Sequence, residues 1–204
     1  DFSILNRRIN FSLDYFDKRT KDGLLKKTIP NYDGGGSYWV NAGEISNRGL
    51  DFSINASIFE TKDFSWNTNI TGTYLKNEVK SLGGMDFVPG TTPANGMIPT
   101  DGVTRVEVGQ PIGSFYGYRY AGVDEDGNIM VFKDGIKGGE TVRGRDASEA
   151  DRTYIGNGTP KWEMAWGNTF TYKGFDLSLY FRGRFDYQIL NQYQMYYGLQ
   201  GVTA

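Results

Sequence analysis

Residues 49–59 read GLDFSINASIF, and the alternation in this stretch decides the fold. Leu50, Phe52, Ile54, Ala56 and Ile58 share one parity, and Asp51, Ser53, Asn55 and Ser57 share the other. Successive side chains of a strand point to opposite faces, so the stretch is one long strand with an apolar and a polar side. That apolar side meets either a protein core or lipid.

Four more segments repeat the pattern. RINFSLDYF (8–16) sets Ile9, Phe11, Leu13 and Tyr15 against Asn10, Ser12 and Asp14. WNTNITGTYL (66–75) sets Trp66, Ile70 and Tyr74 against Asn67, Asn69, Thr71 and Thr73. WEMAWGNTFTY (162–172) places Trp162, Met164, Trp166, Phe170 and Tyr172 on one face, which Asn168 interrupts. FDLSLYFRGRF (175–185) opposes Phe175, Leu177, Leu179, Phe181 and Phe185 to Asp176, Ser178, Tyr180, Arg182 and Arg184. The expected strands span about 8–17, 48–59, 64–76, 162–173 and 175–185. No helical period competes with them.

The connections come in two sizes. ETKD (60–63) and KG (173–174) are tight turns, whereas 19–44, 79–161 and 187–204 are expected long loops, the first two rich in Gly, Pro, Asp and Asn. The 79–161 segment is too long for an idle loop, and 109–135 is expected to hold a short hairpin.

Composition narrows the function. The chain has 204 residues, with 22 basic and 24 acidic side chains and a formal net charge of −2, which gives no electrostatic ground for a nucleic-acid partner. Cysteine and histidine are both absent, which removes disulfides, thiol chemistry, histidine acid–base work and most zinc sites. No serine stands in a nucleophile-elbow context, so no enzyme signature is present and no catalytic residue is expected. No window approaches the roughly 18 apolar residues of a transmembrane helix. The 28 Gly, 14 Tyr, 13 Phe and 4 Trp suit turns and aromatic belts.

Strands of about nine to twelve residues match the length a tilted strand needs to cross a bilayer, where soluble strands average about five to six. The polar sides would line a watery lumen with Asp51, Asn55, Asn67, Asn69, Asp176, Arg182 and Arg184. Trp66, Tyr172 and Phe175 beside the short turns, and Tyr74 and Trp162 toward the long loops, would form the two interfacial aromatic girdles. The expected fold is therefore all-β, an antiparallel transmembrane β-barrel with long extracellular loops. Five strands close no such barrel, so the chain reads as an interior piece of a longer one. The bland counterpart is a soluble antiparallel sandwich whose apolar faces pack inward, serving as a β-sheet binding module.

Three motifs then carry a resemblance. NAGEISNRGLDFSI (41–54) resembles the Asn-x-Gly-x-x-x-Asn-x-Gly-hydrophobic-acidic stretch of SusC/RagA-family TonB-linked outer membrane proteins. VEVGQPIGSFYGYRYAGV (106–123) resembles their Gly-x-Pro-hydrophobic-Gly-x-Phe-Tyr-Gly-Tyr segment. DRTYIGNGTPKWEMAWGNTFTYKGFDLSLYFRGRF (151–185) resembles their Asp-Arg-x-x-Ile-Gly-Asn…Pro-Lys…Tyr-Lys-x-Phe-Asp-Leu-Ser segment.

The resemblance implies a barrel of about 22 strands with a plugged lumen, of which about five strands are seen here. The plug domain, TonB box and C-terminal strands would lie outside this chain. It further implies a Bacteroidota outer-membrane importer of oligosaccharides or peptides, powered by the TonB–ExbB–ExbD complex and capped by a SusD-like surface lipoprotein. A passive porin or a siderophore-type receptor on a similar barrel remains the alternative reading. The family often carries Asp-x-Asn-Gly-Asp-Gly in the long loop; DEDGNI (124–129) and KDGIKGGE (133–140) are weaker versions.

The candidate ligand contacts are aromatics of the outer loops: Tyr32, Tyr38 and Trp39 in NYDGGGSYWVN (31–41), and Tyr193, Tyr196 and Tyr197 in NQYQMYYGLQ (191–200). Aromatics on flexible backbone suit sugar stacking or peptide contact; the alternative is loop packing. No resident cofactor is expected. Asp124, Asp126 and Asn128 offer alternating oxygen ligands for calcium, but the twelfth position of an EF-type loop, a Glu, is here Gly135. An ordinary Asp/Gly turn explains the same residues. Arg182 and Arg184 are expected to pair with Asp176 and carboxylates of the neighbouring strand.

Overall fold

The computed structural model describes residues 1–28, 35–90 and 103–191. Within them the chain is built of antiparallel strands, and no helix is long and apolar enough to cross a membrane. Thirteen strands follow in order: β1 (Phe2–Ile4), β2 (Ile9–Thr28), β3 (Ser37–Glu60), β4 (Phe64–Leu82), β5 (Phe87–Pro89), β6 (Thr104–Glu107), β7 (Ser114–Tyr118), β8 (Tyr120–Val123), β9 (Ile129–Phe132), β10 (Thr141–Arg143), β11 (Arg152–Asn157), β12 (Trp162–Tyr172) and β13 (Phe175–Phe185). Two compact units emerge. The first holds Asp1–Lys21, Glu44–Glu78 and Pro160–Tyr187; the second holds Asp22–Gly43, Val79–Thr159 and Gln188–Ala204.

The first unit is the long-stranded sheet, with strands ordered β1-β2-β3-β4-β12-β13. β12 pairs with β13 from Trp162↔Phe185 to Tyr172↔Phe175, and with β4 from Trp162↔Tyr74 to Tyr172↔Phe64. The expected tight turns close two of the hairpins. Thr61 accepts the Phe64 N–H on its hydroxyl at 3.0 Å. Lys173 takes a left-handed φ of 52° between Tyr172 and Phe175.

Large apolar side chains on one side of this sheet stand exposed among the described residues. Trp166, Leu177, Phe181 and Phe175 are 46%, 54%, 54% and 79% exposed, where a sandwich core would bury them. Ala56 is the buried hydrophobic residue among those described in this unit.

Three strands run farther than their alternation suggests. β2 continues to Thr28 and β3 begins at Ser37, where a loop over 19–44 was expected, and β4 reaches Leu82. No unbroken period-2 alternation marks these extensions in the sequence. Gly23 and Gly43 lie against each other there: a Cβ built on either would stand 3.3–3.4 Å from the other's carbonyl oxygen. Asn47 and Gly49 therefore sit in mid-strand.

The second unit fills the 79–161 segment with small sheets, ordered β11-β7-β6-β5 and β10-β9-β8. The expected hairpin within 109–135 is β8–β9, closed over Asp124–Asn128. Val79, Leu82 and Val131 are its buried hydrophobic residues among those described.

Candidate functional site

The polar face of the first unit brings the predicted lumen residues into one ladder. Thr73 donates its hydroxyl to Asp51 at 2.8 Å, and Asn69 donates its amide to Asn55 at 2.6 Å. Asn77 donates likewise to Asn47 at 2.7 Å. Asn67 lies opposite Thr169 on the same face. In these β3–β4 pairs the two strands' polar parities coincide, as the sequence reading required.

The β12–β13 register extends the ladder. Glu163 stands opposite Arg184, and Thr171 opposite Asp176. Asp176 accepts from the Thr171 hydroxyl at 2.8 Å. The two arginines pair with the neighbouring strand, not with Asp176. Arg184 Nε reaches Glu163 at 3.1 Å and an Arg182 nitrogen reaches it at 3.7 Å. One carboxylate thus serves two guanidinium groups. Asp51, Thr71, Thr73, Glu163, Tyr180 and Arg182 line a concavity of about 340 Å³ on this unit.

The predicted girdle residues take opposite ends of the apolar face. The Tyr74 and Trp162 rings meet at 4.8 Å at one end. At the other, Trp66 stacks on Phe170 at 5.5 Å, and Tyr172 lies across from Phe64 and Phe175. Asn168, the interruption in the apolar pattern, is 5% exposed. Its carbonyl accepts the Trp66 indole N–H at 3.1 Å, and the Trp166 indole donates to the Thr68 hydroxyl at 2.9 Å. Two indoles thereby satisfy two polar side chains on the apolar face.

Of the aromatic loop candidates, Tyr38 and Trp39 lie at the start of β3, 47% and 66% exposed. Tyr32, Tyr193, Tyr196 and Tyr197 fall outside the described residues.

The calcium candidates form a closed turn. Asp124 Oδ1 accepts the N–H groups of Asp126 at 3.1 Å and Asn128 at 2.8 Å. Arg143 bridges the carboxylates, reaching Asp124 at 3.0 Å and Asp126 at 2.8 Å. The Asn128 amide and then Arg143 hold the Asp124 carboxyl below its ordinary value. Among the described residues no group of three or more acidic side chains could hold a metal ion.

Two clusters in the second unit escaped sequence reading. Arg105 lies 3.9 Å from the Phe87 ring centre and 4.4 Å from that of Tyr116, while Tyr154 donates to Glu107 at 2.6 Å. Burial, then that bond, raises the Tyr154 phenol well above its ordinary value. Asp151 caps its own turn by accepting from Asp134 N–H at 2.9 Å, Ser148 N–H at 2.7 Å and the Ser148 hydroxyl at 2.9 Å.

Comparison with known proteins agrees with this geometry. No protein-family model matches the chain. A TonB-dependent receptor of Formosa agariphila is 35% identical over 201 residues, which cover 94% of this chain and 20% of that protein. The TonB-dependent receptor SusC of Bacteroides thetaiotaomicron is 34% identical over 145 residues, 66% of this chain and 14% of that one. The solved structure of the RagAB peptide transporter superposes with a TM-score of 0.70 at 26% identity, over 87% of this chain and 19% of the transporter chain. The class is that of the TonB-dependent receptors, all-β with an antiparallel transmembrane barrel. Within it the likeness is to the SusC/RagA type, as the three motifs implied. The chain spans about a fifth of the length of the first of these curated relatives.

Proposed function

We propose that this chain is a stretch of the barrel wall of an outer-membrane, TonB-dependent importer. One observation carries the reading: a long-stranded sheet with a hydrogen-bonded polar face, and an apolar face rimmed by aromatics at both ends. The polar face borders the path that the nutrient takes, and the apolar face meets lipid. The likeness to SusC and to the RagAB peptide transporter supports a nutrient of the oligosaccharide or peptide class and a SusD-like surface lipoprotein as partner. The work of transport falls to TonB–ExbB–ExbD acting on the rest of the protein. The residues here position and line, and none performs covalent chemistry.

Uptake by cells carrying the full-length protein, with and without TonB, tests the reading. Uptake abolished by TonB deletion is expected; uptake that persists would overturn active import and favour a passive pore. Purification in mild detergent followed by mass spectrometry tests the partner. A lipoprotein in roughly stoichiometric amount is expected.

A further inference from the structure

The outer face of β2, β3 and β4 changes character at one level. Along β2 it reads Ile9, Phe11, Leu13, Tyr15 and then Asp17 and Arg19. Along β3 it reads Ile58, Ala56, Ile54, Phe52, Leu50 and then Arg48. Along β4 it reads Trp66, Thr68, Ile70, Gly72, Tyr74 and then Lys76. The side-chain contacts place these switches side by side. Arg48 Nε reaches Asp17 at 3.1 Å, and Arg19 Nε reaches it at 3.6 Å. The ring of Phe52 lies over Gly72 on the same face. Asn47 and Asn77 bond on the opposite face, which turns Arg48 and Lys76 outward together. The Tyr74–Trp162 ring pair lies immediately below.

Arg48 and Lys76 thus stand one step beyond the apolar row and Arg19 two steps, and the carboxylate in contact with both arginines is Asp17. Glu78 stands one step farther along β4. Arg48 and Arg19 are 42% and 50% exposed at their side chains, so both present charge to the surroundings. An arginine fork matches phosphate geometry, and basic groups at this depth meet the headgroups of an anionic leaflet.

We propose that Arg19, Arg48 and Lys76 form a binding site for the phosphate of an outer-leaflet lipid headgroup. The site anchors the barrel wall at the membrane surface beside the Tyr74–Trp162 pair. The inference rests on the membrane-barrel reading above. It commits to lipid-borne phosphate because the cations continue the apolar strip that the acyl chains cover.

The test uses the full-length protein, purified in mild detergent, with bisphosphorylated lipid A added and bound adducts counted by native mass spectrometry. The wild type is expected to carry lipid A. The triple variant Arg19→Gln/Arg48→Gln/Lys76→Gln is expected to lose about a hundredfold in apparent affinity, given roughly fivefold per basic residue near an anionic lipid surface. Arg19→Lys/Arg48→Lys keeps the charge and is expected to retain binding, which separates the loss from misfolding. Arg182→Gln/Arg184→Gln, on the opposite face, is expected to leave lipid A retention unchanged. Equal lipid A retention by the triple variant and the wild type would overturn the site and leave the barrel reading intact. Recovery of the wild type from the aqueous phase without detergent would overturn both.

Discussion

Trp66 donates its indole N–H to the side chain of Asn168 across 102 residues of sequence, at 3.1 Å, on the apolar face of the sheet. An amide facing lipid without a partner costs several kcal/mol, on the order of an unmade hydrogen bond in hydrocarbon. The bond therefore explains how an asparagine is tolerated in the row Met164, Trp166, Phe170.

Trp66→Phe is expected to destabilise the folded barrel by about 1–3 kcal/mol, because it leaves the Asn168 amide unpaired while keeping most of the ring. Adding Asn168→Leu to that variant is expected to restore most of the loss. Urea unfolding of the full-length protein in lipid vesicles reads both. A Trp66→Phe variant as stable as the wild type would show that the bond contributes nothing.

Gly49 sits in mid-β3, where a Cβ would collide with the Tyr74 carbonyl oxygen and the Phe16 ring. Gly49→Ala is expected to lower stability by about 1–3 kcal/mol, the range for overpacking. Phe16→Leu in the same chain is expected to rescue little, since the nearest obstacle is backbone. Full rescue would assign the constraint to the ring instead.

Asp151 is held below the ordinary carboxylate value first by the Asp134 N–H and then by Ser148. A depressed folded value means that its contribution is present above the unfolded value, near 3.8, and is lost as pH falls through the folded one. Loop 133–152 is thus expected to loosen only in acid below that point, and Asp151→Asn to loosen it at neutral pH. Amide exchange of Asp134 and Ser148 reports it; equal protection in Asp151→Asn and wild type would remove the role.

Arg143 already occupies Asp124 and Asp126, so calcium must displace a guanidinium to bind there. Calorimetric titration of the intact protein with calcium is expected to show no heat from this turn. Arg143→Gln is expected to loosen the β8–β9 hairpin, since it releases both carboxylates. Heat that appears in wild type and vanishes in Asp124→Asn would establish a cation site.

Glu163 faces both Arg182 and Arg184 on the polar side. Glu163→Gln leaves two cations without their carboxylate. All three side chains are about half exposed, so the effect on stability is expected to be under about 1 kcal/mol. The readout is the salt dependence of uptake, expected to steepen as the local charge becomes more positive. An unchanged salt dependence would place the trio away from the transport path.

The sequence by itself determined five of the six strands of the first unit, their tight turns and which side of each is polar. Period-2 alternation is a local property, and Asp51, Asn55, Asn69 and Asp176 came out on one face because each strand's parity is written in its own residues. The extensions of β2 and β3 were illegible for the converse reason: their residues follow no unbroken alternation. Only the tertiary structure decided the pairings that no tight turn sets. β4 lies beside β12 although residues 83–161 intervene, Asn168 finds Trp66, and Arg105 finds Phe87 and Tyr116. Those partners are chosen by the closing of backbone ladders over long stretches of chain, and no local period encodes that choice.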